Sequence, residues 1–313
     1  MKNRLSILLF VLLGYCSVSL AQPTEIAITQ DCLGCPELVE IPSGSVMIGS
    51  SDNEIGRRKG ERLSTTATIS KPFLMSKHEV TLRQFREFME ETMYKQIDAI
   101  WKEEVLVGCN YYDGKRYGYI ANHSWRDPGY PQREDAPVVC VSWSDADAYC
   151  KWLSKKTGRK YRVPSSVEFE YATKAGSDTP WFWGTAPEEA CQYANVGDRT
   201  FSHKYPVRPT FPCDDGYVYT AAVGSFKPNG FGLYDMIGNA WEWTDDCYHE
   251  DLANAPTDGS AWHEEDGGEC IYRIPKGGSW ISGVAWGRSA VRSRDGADYR
   301  SFMLGFRVVA DKK

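Results

Sequence analysis

The sequence predicts a single α+β domain in which an unusually large share of the chain is irregular. Helical patterns occur only before about residue 177, and the remainder is rich in Gly, Pro, Asp and aromatic residues without helical periodicity. Short alternating stretches, 217–226 and 305–310, are typical of strands. No segment resembling a linker divides the chain, so we expect one domain whose loops are held by packed tryptophans and by disulfides or bound ions.

Three helices are predicted from amphipathic patterns that follow Ser or Thr caps. The expected caps are Thr81 for the helix over 82–93, Ser144 with Asp147 for the second helix, and Ser165 with Glu168 for the third. Gly158 and Gly176 come where the second and third helices should end, a position that glycine favours.

The first 21 residues have the pattern of an export signal. Lys2 and Arg4 precede an apolar run, and small residues before Ala21 favour cleavage after that position. A lipid anchor at Cys16 is an alternative that fits less well, because a bulky tyrosine directly precedes the cysteine. The protein is therefore expected to be exported, either periplasmic or secreted.

Composition argues against nucleic-acid binding and against a membrane span. The formal charge is -6, and loss of the two positive charges of Lys2 and Arg4 takes it to -8. An acidic chain without a basic run is a poor partner for nucleic acid. After the N-terminal segment, no apolar run approaches the roughly 18 residues that a transmembrane helix needs.

Nine cysteines follow Cys16, and an exported chain is expected to form disulfides. Cys150 lies within an amphipathic helical pattern and is the expected buried free thiol. Proximity along the chain suggests pairs for the other eight: Cys32 with Cys35, Cys109 with Cys140, Cys191 with Cys213, and Cys247 with Cys270. The first pair belongs to an N-terminal segment, 22–36, and is expected to be a structural staple rather than a redox motif.

Two loop regions carry the oxygen ligands that hard cations prefer. In "GLYDMIGNAWEW", Asp235 and Glu242 flank a glycine turn, and another region offers Asn195 and Asp215 with nearby carbonyls. Spacing alone leaves open whether these loops bind ions or are simply polar turns. Transition-metal sites are not expected, because the histidines of the chain are scattered without paired ligand spacing: His78, His123, His203, His249 and His263.

Six stretches in chain order resemble the signature blocks of the formylglycine-generating enzyme (sulfatase-modifying factor) family. They are "VEIPSGSVMIGS", "KHEVTLRQFREFM", "DAPVVCVSWSDADAYCKWLSKKTGRKYRVPSSVEFEYATKAG", "GLYDMIGNAWEWTDDC", "PKGGSW" and "LGFRVV". The resemblance extends over nearly the whole chain after the N-terminal segment and defines an expected domain at 37–311. It implies a compact domain related to the C-type lectin fold, with little regular secondary structure.

The resemblance also implies two structural calcium ions. One would be bound by the side chains of Asp235 and Glu242 and the carbonyls of Gly238 and Ala240. The other would be bound by the side chains of Asn195 and Asp215 and the carbonyls of Val196 and Tyr217. Extracellular calcium sites of this kind stabilise a folded domain by binding only its native state.

Copper is not expected, although the family resemblance would imply it. Enzymes of the family oxidise a substrate cysteine with a copper ion held by two cysteines after the Gly-Gly-Ser block. Here Ser282 stands at the first of those positions, the second falls near Trp286, and no cysteine follows Cys270. A hard serine hydroxyl does not replace a soft thiolate toward Cu(I), so formylglycine formation is not expected.

The segment 275–296 is instead a candidate ligand surface for a peptide, glycan or protein partner, because tryptophan and arginine recognise such groups. Its candidate residues are Ser279, Trp280, Ser282, Trp286, Arg288, Arg292 and Arg294. Plain core packing is the competing interpretation. Three other functions stay open: a modifying enzyme or oxidoreductase with unrecognised ligands, a variable C-type-lectin-like binding protein, and, more weakly, a serine hydrolase at Ser279 or Ser282.

Overall fold

A computed structural model describes residues 26–61, 65–101, 104–205, 210–264 and 267–312. The expected export signal and Cys16 lie outside the described residues. Within them, no helix is both long enough and apolar enough to cross a membrane.

Four α-helices form in the described part of the chain, and capping side chains mark where they begin. They are α1 (Leu82–Thr92), α2 (Trp143–Thr157), α3 (Ser166–Lys174) and α4 (Arg199–Lys204). Thr81 caps α1, Ser165 with Glu168 caps α3, and Gly158 ends α2, as predicted. The α3 helix ends on Ala175 in the left-handed conformation, and Gly176 follows it.

The predicted cap of α2 is wrong by two residues. Ser142 is the cap, and its backbone N–H donates to the Asp145 carboxylate while its hydroxyl accepts from the Asp145 N–H. Both Ser-x-x-Asp pairs fit the sequence pattern, but Asp145 is buried and also binds the Arg300 guanidinium. The buried ion pair between Asp145 and Arg300, which is distant in sequence, therefore favours Ser142 over Ser144 as the cap.

The short α4 helix corrects the prediction that no helix follows residue 177. Its cap is Asp198, whose carboxylate accepts the backbone N–H of Phe201, and the Phe201 side chain is fully buried. Six residues are too few for an amphipathic period to be visible in the sequence.

The strands are short and form small sheets. They are β1 (Ile28–Thr29), β2 (Leu38–Ile41), β3 (Gly44–Ile48), β4 (Thr65–Ile69), β5 (Phe73–Ser76), β6 (Ala99–Trp101), β7 (Glu104–Leu106), β8 (Cys109–Tyr112), β9 (Tyr117–Ile120), β10 (Tyr161–Arg162), β11 (Trp241–Tyr248), β12 (Glu269–Lys276), β13 (Asp295–Gly296), β14 (Leu304–Gly305) and β15 (Val309–Asp311). One sheet has the order β1-β2-β5-β15-β10 and the other β13-β12-β11-β14, while β3-β4, β6-β7 and β8-β9 form two-stranded antiparallel sheets.

The predicted strand at 217–226 does not form. Its backbone groups are bound by other partners: Asn195 Nδ2 donates to the Tyr219 carbonyl, and the Ala221 N–H donates to Asn239 Oδ1. The predicted strand at 305–310 is divided instead. Its start pairs with β11 and its end with β5, so this stretch carries the chain from one sheet to the other.

The four expected disulfides are present. They join Cys32 to Cys35, Cys109 to Cys140, Cys191 to Cys213, and Cys247 to Cys270. Among the described cysteines only Cys150 is free, and it lies buried on α2, where burial raises the pKa of its thiol. Such crosslinks reduce the entropy of the unfolded chain and so favour a fold with little regular structure.

Buried arginine–carboxylate pairs connect the C-terminal third of the chain to its first half. The Arg288 guanidinium is fully buried, binding Glu61 at 2.7 and 2.9 Å and also Glu54. Arg300 binds Asp145. Arg288 was expected on a ligand surface, and that expectation is wrong because its guanidinium is buried and paired with carboxylates of the same chain.

Replacing Arg288 should therefore destabilise the protein strongly. Arg288→Ala leaves two buried carboxylates without their partner, which should lower the free energy of unfolding by about 3–5 kcal/mol. Arg86→Ala, which removes one half of an exposed ion pair with Glu134, is the control and should cost less than about 1 kcal/mol. Denaturant unfolding of both variants measures the difference, and equal losses would contradict a structural role for Arg288.

Candidate functional site

The segment 275–296 begins at the end of β12, and contacts within the segment and with Asn239 hold its backbone in place. Gly277 and Gly278 have positive φ angles of 88° and 78°, and a Cβ on Gly278 would lie 2.8 Å from the Trp286 carbonyl. The backbone N–H of Trp280 donates to the Asn239 carbonyl at 3.0 Å. These contacts hold Ser282 and Trp286 in defined positions.

A cleft of about 190 Å³ opens at this segment, at the place where the family resemblance puts the copper-binding cysteines. We call it the aromatic cleft. Its lining residues are Tyr117, Trp241, Ile281, Ser282, Trp286, Ser293, Asp295, Tyr299, Ser301, Met303 and Leu304. Apolar and aromatic walls with a few hydroxyl groups are typical of a small-molecule or peptide side-chain site.

A second cleft of about 390 Å³ lies on the other side of Trp286. We call it the basic cleft. Its lining residues are Arg58, Lys59, Gly60, Glu61, Tyr248, Glu250, Trp286, Ser293, Arg292 and Arg294. Trp286 and Ser293 line both clefts, so the two are adjacent.

The clefts bring together four of the seven candidate surface residues. Ser282 and Trp286 line the aromatic cleft, while Arg292 and Arg294 line the basic cleft. The other three lie elsewhere: Ser279 and Trp280 are buried in the core, like Arg288.

Trp280 packs edge to face against Tyr130, Tyr219 and Phe302 at centroid distances of 5.4–5.8 Å. The competing interpretation, core packing, is therefore correct for Trp280. Ser279 is also structural, since its N–H donates to Ser282 Oγ at 2.9 Å. No histidine is among the residues lining the aromatic cleft, so the cleft offers Ser282 no imidazole base.

Asp295 is a cleft residue that sequence reasoning did not select. It lies on β13, lines the aromatic cleft and accepts a hydrogen bond from Ser293 Oγ at 3.2 Å. Burial raises the pKa of its carboxyl to about 7. Its only sequence signal was its place within the 275–296 segment.

No thiol lines the aromatic cleft. Eight of the cysteines in the described part of the chain are joined in disulfides, and the thiol of Cys150 is enclosed in the core around α2. The donors at this position are therefore hydroxyl and carboxyl oxygens and the single thioether sulfur of Met303.

The loops expected to bind calcium contain buried oxygen atoms without partners. Asn195 Nδ2 donates to the Tyr219 carbonyl and to Asn239 Oδ1, but Asn195 Oδ1 accepts no hydrogen bond from any described residue. Near it, Asp215 accepts the backbone N–H groups of Val196 and Tyr217 at 2.9 and 2.7 Å. Burial raises the pKa of Asp215 to about 7, and the nearby Asp198 carboxylate adds to the rise.

Asp198 is a carboxylate that the sequence analysis missed here. An oxygen of Asp198, an oxygen of Asp215 and the sulfur of Cys191 lie within 4.8 Å of one another. The Cys191 sulfur belongs to a disulfide and is no thiolate ligand. Oxygen is thus the useful donor type at this loop, which fits calcium better than a soft metal.

The second loop concentrates negative charge in the interior. Asp235 Oδ2 accepts the Gly224 N–H at 2.7 Å, whereas its Oδ1 is buried without a partner. Glu79, which the sequence analysis did not identify, has an equally unpartnered Oε1. Burial raises the pKa of Glu79, and the charges of Asp235 and Glu242 raise it further.

Glu242 differs from the other expected ligands because both its oxygens already accept hydrogen bonds from Arg307, at 2.7 and 2.8 Å. Glu79 and Asp235 also lie within electrostatic reach of the Arg307 guanidinium, but among the three carboxylates only Glu242 is hydrogen-bonded to it. The residues present fit a divalent cation, which would supply the missing positive charge, and Asp235 is better placed than Glu242 to bind it through a free oxygen.

The fold is that of the formylglycine-generating enzymes and C-type-lectin-like proteins, with mixed helices and small sheets. The structure of PvdO from Pseudomonas aeruginosa aligns with 93% of this chain and 100% of its own, with a TM-score of 0.76 and 33% identity. A family model described as the sulfatase-modifying factor enzyme 1-like domain matches residues 24–312. The chain therefore belongs to the sulfatase-modifying factor family.

Curated relatives of both active and inactive type are similar over most of the chain. The formylglycine-generating enzyme of Mus musculus is 31% identical over 89% of this chain and 76% of its own length. The inactive C-alpha-formylglycine-generating enzyme 2 of Mus musculus is 29% identical over 88% of this chain and 86% of its own. One of these two relatives is thus named as a formylglycine-generating enzyme and the other as an inactive one.

Asp295 should make stability depend on pH. Because its folded-state pKa is raised to about 7, the protonated form is favoured on folding, and this contribution is lost as pH rises from about 4 to about 7. Asp295→Asn mimics the protonated carboxyl, so its melting temperature should exceed that of the parent protein by a few degrees near pH 8 and match it near pH 4.

Asp298→Asn is the matched control, since it removes a carboxylate three residues away that accepts the Ile100 N–H. Thermal unfolding of the three proteins across this pH range tests the assignment. An Asp295→Asn protein that is no more stable than its parent at high pH would contradict it.

Proposed function

We propose that this protein is an exported, calcium-stabilised ligand-binding member of its family that does not form formylglycine. The observation that carries the proposal is the aromatic cleft, in which Ser282 and Trp286 stand where thiolates would be needed. Cu(I) requires soft ligands, and apart from the one thioether of Met303 the donors lining this cleft are hard hydroxyl and carboxyl oxygens. The ligand would be a peptide, glycan or protein segment.

Export is supported by the disulfides, since such bonds persist mainly outside the cytoplasm. The N-terminal pattern supports it independently, with cleavage after Ala21 preferred to a lipid anchor at Cys16.

Calcium binding is supported by unpartnered buried oxygens at both loops. Asn195 Oδ1 and Asp235 Oδ1 are buried acceptors without donors, an arrangement that costs free energy unless a cation or water is bound. Asn195, Asp215 and the carbonyls of Val196 and Tyr217 would hold one ion. Asp235, Glu242 and the carbonyls of Gly238 and Ala240 would hold the other, which would offset the excess charge of the buried carboxylates.

A modifying enzyme is the second candidate function, and Asp295 favours it. A carboxyl with a pKa of about 7 in an aromatic cleft can accept and return a proton near neutral pH. Such an enzyme would act through Asp295 as general acid or base, without a thiol or copper at this position.

Copper-dependent conversion of a substrate cysteine should be undetectable. The purified protein would be incubated with copper and a cysteine-containing sulfatase peptide in air, and mass spectrometry would follow loss of the thiol and gain of the aldehyde. The enzyme from Mus musculus is the positive control. Conversion above a metal-free reaction would overturn the proposal, while any other covalent change that Asp295→Asn abolishes would favour the second candidate.

Removal of calcium should lower the melting temperature by several degrees, because the ion binds only the native state. Asp235→Asn should reduce this response by weakening one site. The variant suits the test because Asp235 has a φ of 57°, which asparagine tolerates, and because it leaves the Glu242–Arg307 pair intact.

Asp258→Asn is the control, since Asp258 is an exposed side chain bound only locally to Ser260. Differential scanning calorimetry with chelator and with added calcium measures both variants. Identical melting of the parent protein under the two conditions would count against bound calcium.

A further inference from the structure

The basic cleft carries positive charge on a protein that is acidic overall. Four cations and two carboxylates line it, a balance of +2, whereas the whole chain has a formal charge of -6. One of the two carboxylates, Glu61, is already bound by the buried Arg288. A local excess of cations in a concave site attracts anions.

Arg292 is a cation of this cleft without an ion-pair partner. Its Nη1 donates to the Gly60 carbonyl at 2.7 Å and its Nη2 to the His249 carbonyl at 3.3 Å, while Nε meets no acceptor in the described part of the chain. Within the described residues, no carboxylate lies within 4 Å of it. Burial lowers the pKa of Arg292, and a bound anion would offset that cost of charging.

Arg58 adds a second guanidinium without a carboxylate at ion-pair distance among the described residues. It is exposed, and its guanidinium carbon lies 3.5 Å from the centre of the Trp286 ring. Stacking on the indole leaves the N–H groups at the edge of the guanidinium plane available to an acceptor. Arg58 therefore stands beside Trp286, the wall shared with the aromatic cleft.

Arg294 and Lys59 complete the cationic lining but are already engaged. Arg294 lies over the Tyr272 ring at 3.8 Å and faces Glu269 at 3.6 Å. Lys59 pairs with Glu250. Arg58 and Arg292 are consequently the groups with most unused capacity for an anion.

We propose that the basic cleft binds an oxyanion group of the ligand whose apolar or aromatic part occupies the aromatic cleft. The inference rests on the proposed binding function of the aromatic cleft and adds the chemical class of the ligand. Carboxylate, sulfate and phosphate share the geometry that arginine recognises. The charge balance of the cleft favours a dianion.

Isothermal titration calorimetry with simple probes tests this inference. Phenyl phosphate has both groups, phenol has only the ring, and inorganic phosphate has only the anion. Phenyl phosphate should bind at least about tenfold more tightly than phenol, as one charge-assisted hydrogen bond would produce. Phenyl sulfate and phenylacetate distinguish the three oxyanions, and we expect both to bind more weakly than phenyl phosphate.

Two variants identify the site, and one serves as control. Arg58→Gln should remove most of the advantage of phenyl phosphate over phenol, and Arg292→Gln should do the same if it folds. Arg126→Gln is the matched control, because Arg126 is also exposed and stacked on a tryptophan, 4.1 Å from the Trp125 ring, but lines neither cleft. It should leave the advantage unchanged.

Three outcomes would overturn the inference: equal affinity for phenyl phosphate and phenol, an undiminished advantage in Arg58→Gln, or no binding of any probe. The proposed lack of formylglycine formation fails separately, through conversion of the cysteine peptide in the presence of copper.

Discussion

Arg307 lies fully buried where the two sheets meet, and its guanidinium must be neutralised there for the chain to fold. It binds both oxygens of Glu242 on β11, the Ser76 carbonyl at the end of β5 and the Tyr234 carbonyl. It stands in the short stretch that passes from β14 in one sheet to β15 in the other. The same carboxylate that satisfies Arg307 belongs to the loop expected to bind calcium, so folding of the sheets and charge balance at that loop depend on one interaction.

Much of the fold could be predicted because its signals are local. Thr81, Ser165 and Gly158 mark helix ends through hydrogen bonds made within a few residues. The disulfide pairs were correct because each joins cysteines that are neighbours in sequence order. Errors arose where distant contacts decide the structure. Arg300 selects Ser142 as a cap, and Asn195 and Asn239 bind the backbone that would otherwise have formed a strand at 217–226.

The candidate site was predictable in the same limited way. Ser282 and Trp286 could be selected because the glycine-rich framework before them resembles a family pattern. Arg58 could not, because more than two hundred residues separate it from the tryptophan on which it stacks. Glu79 was likewise invisible as a neighbour of Asp235, since only the folded chain brings them together. The chemistry of this protein is therefore assembled from segments that sequence spacing does not connect.

Trp286 forms one wall of each cleft, and this shared wall has a thermodynamic consequence. Its indole packs nearly perpendicular to the Trp241 ring, with the ring centres 6.0 Å apart, and also stacks with the Arg58 guanidinium. Any shift of the ring that enlarges one cavity changes the shape of its neighbour. Binding of the two parts of the proposed ligand would thus be coupled through a single side chain, and such coupling is reciprocal: whatever the apolar part contributes to the affinity of the oxyanion, it receives in equal measure.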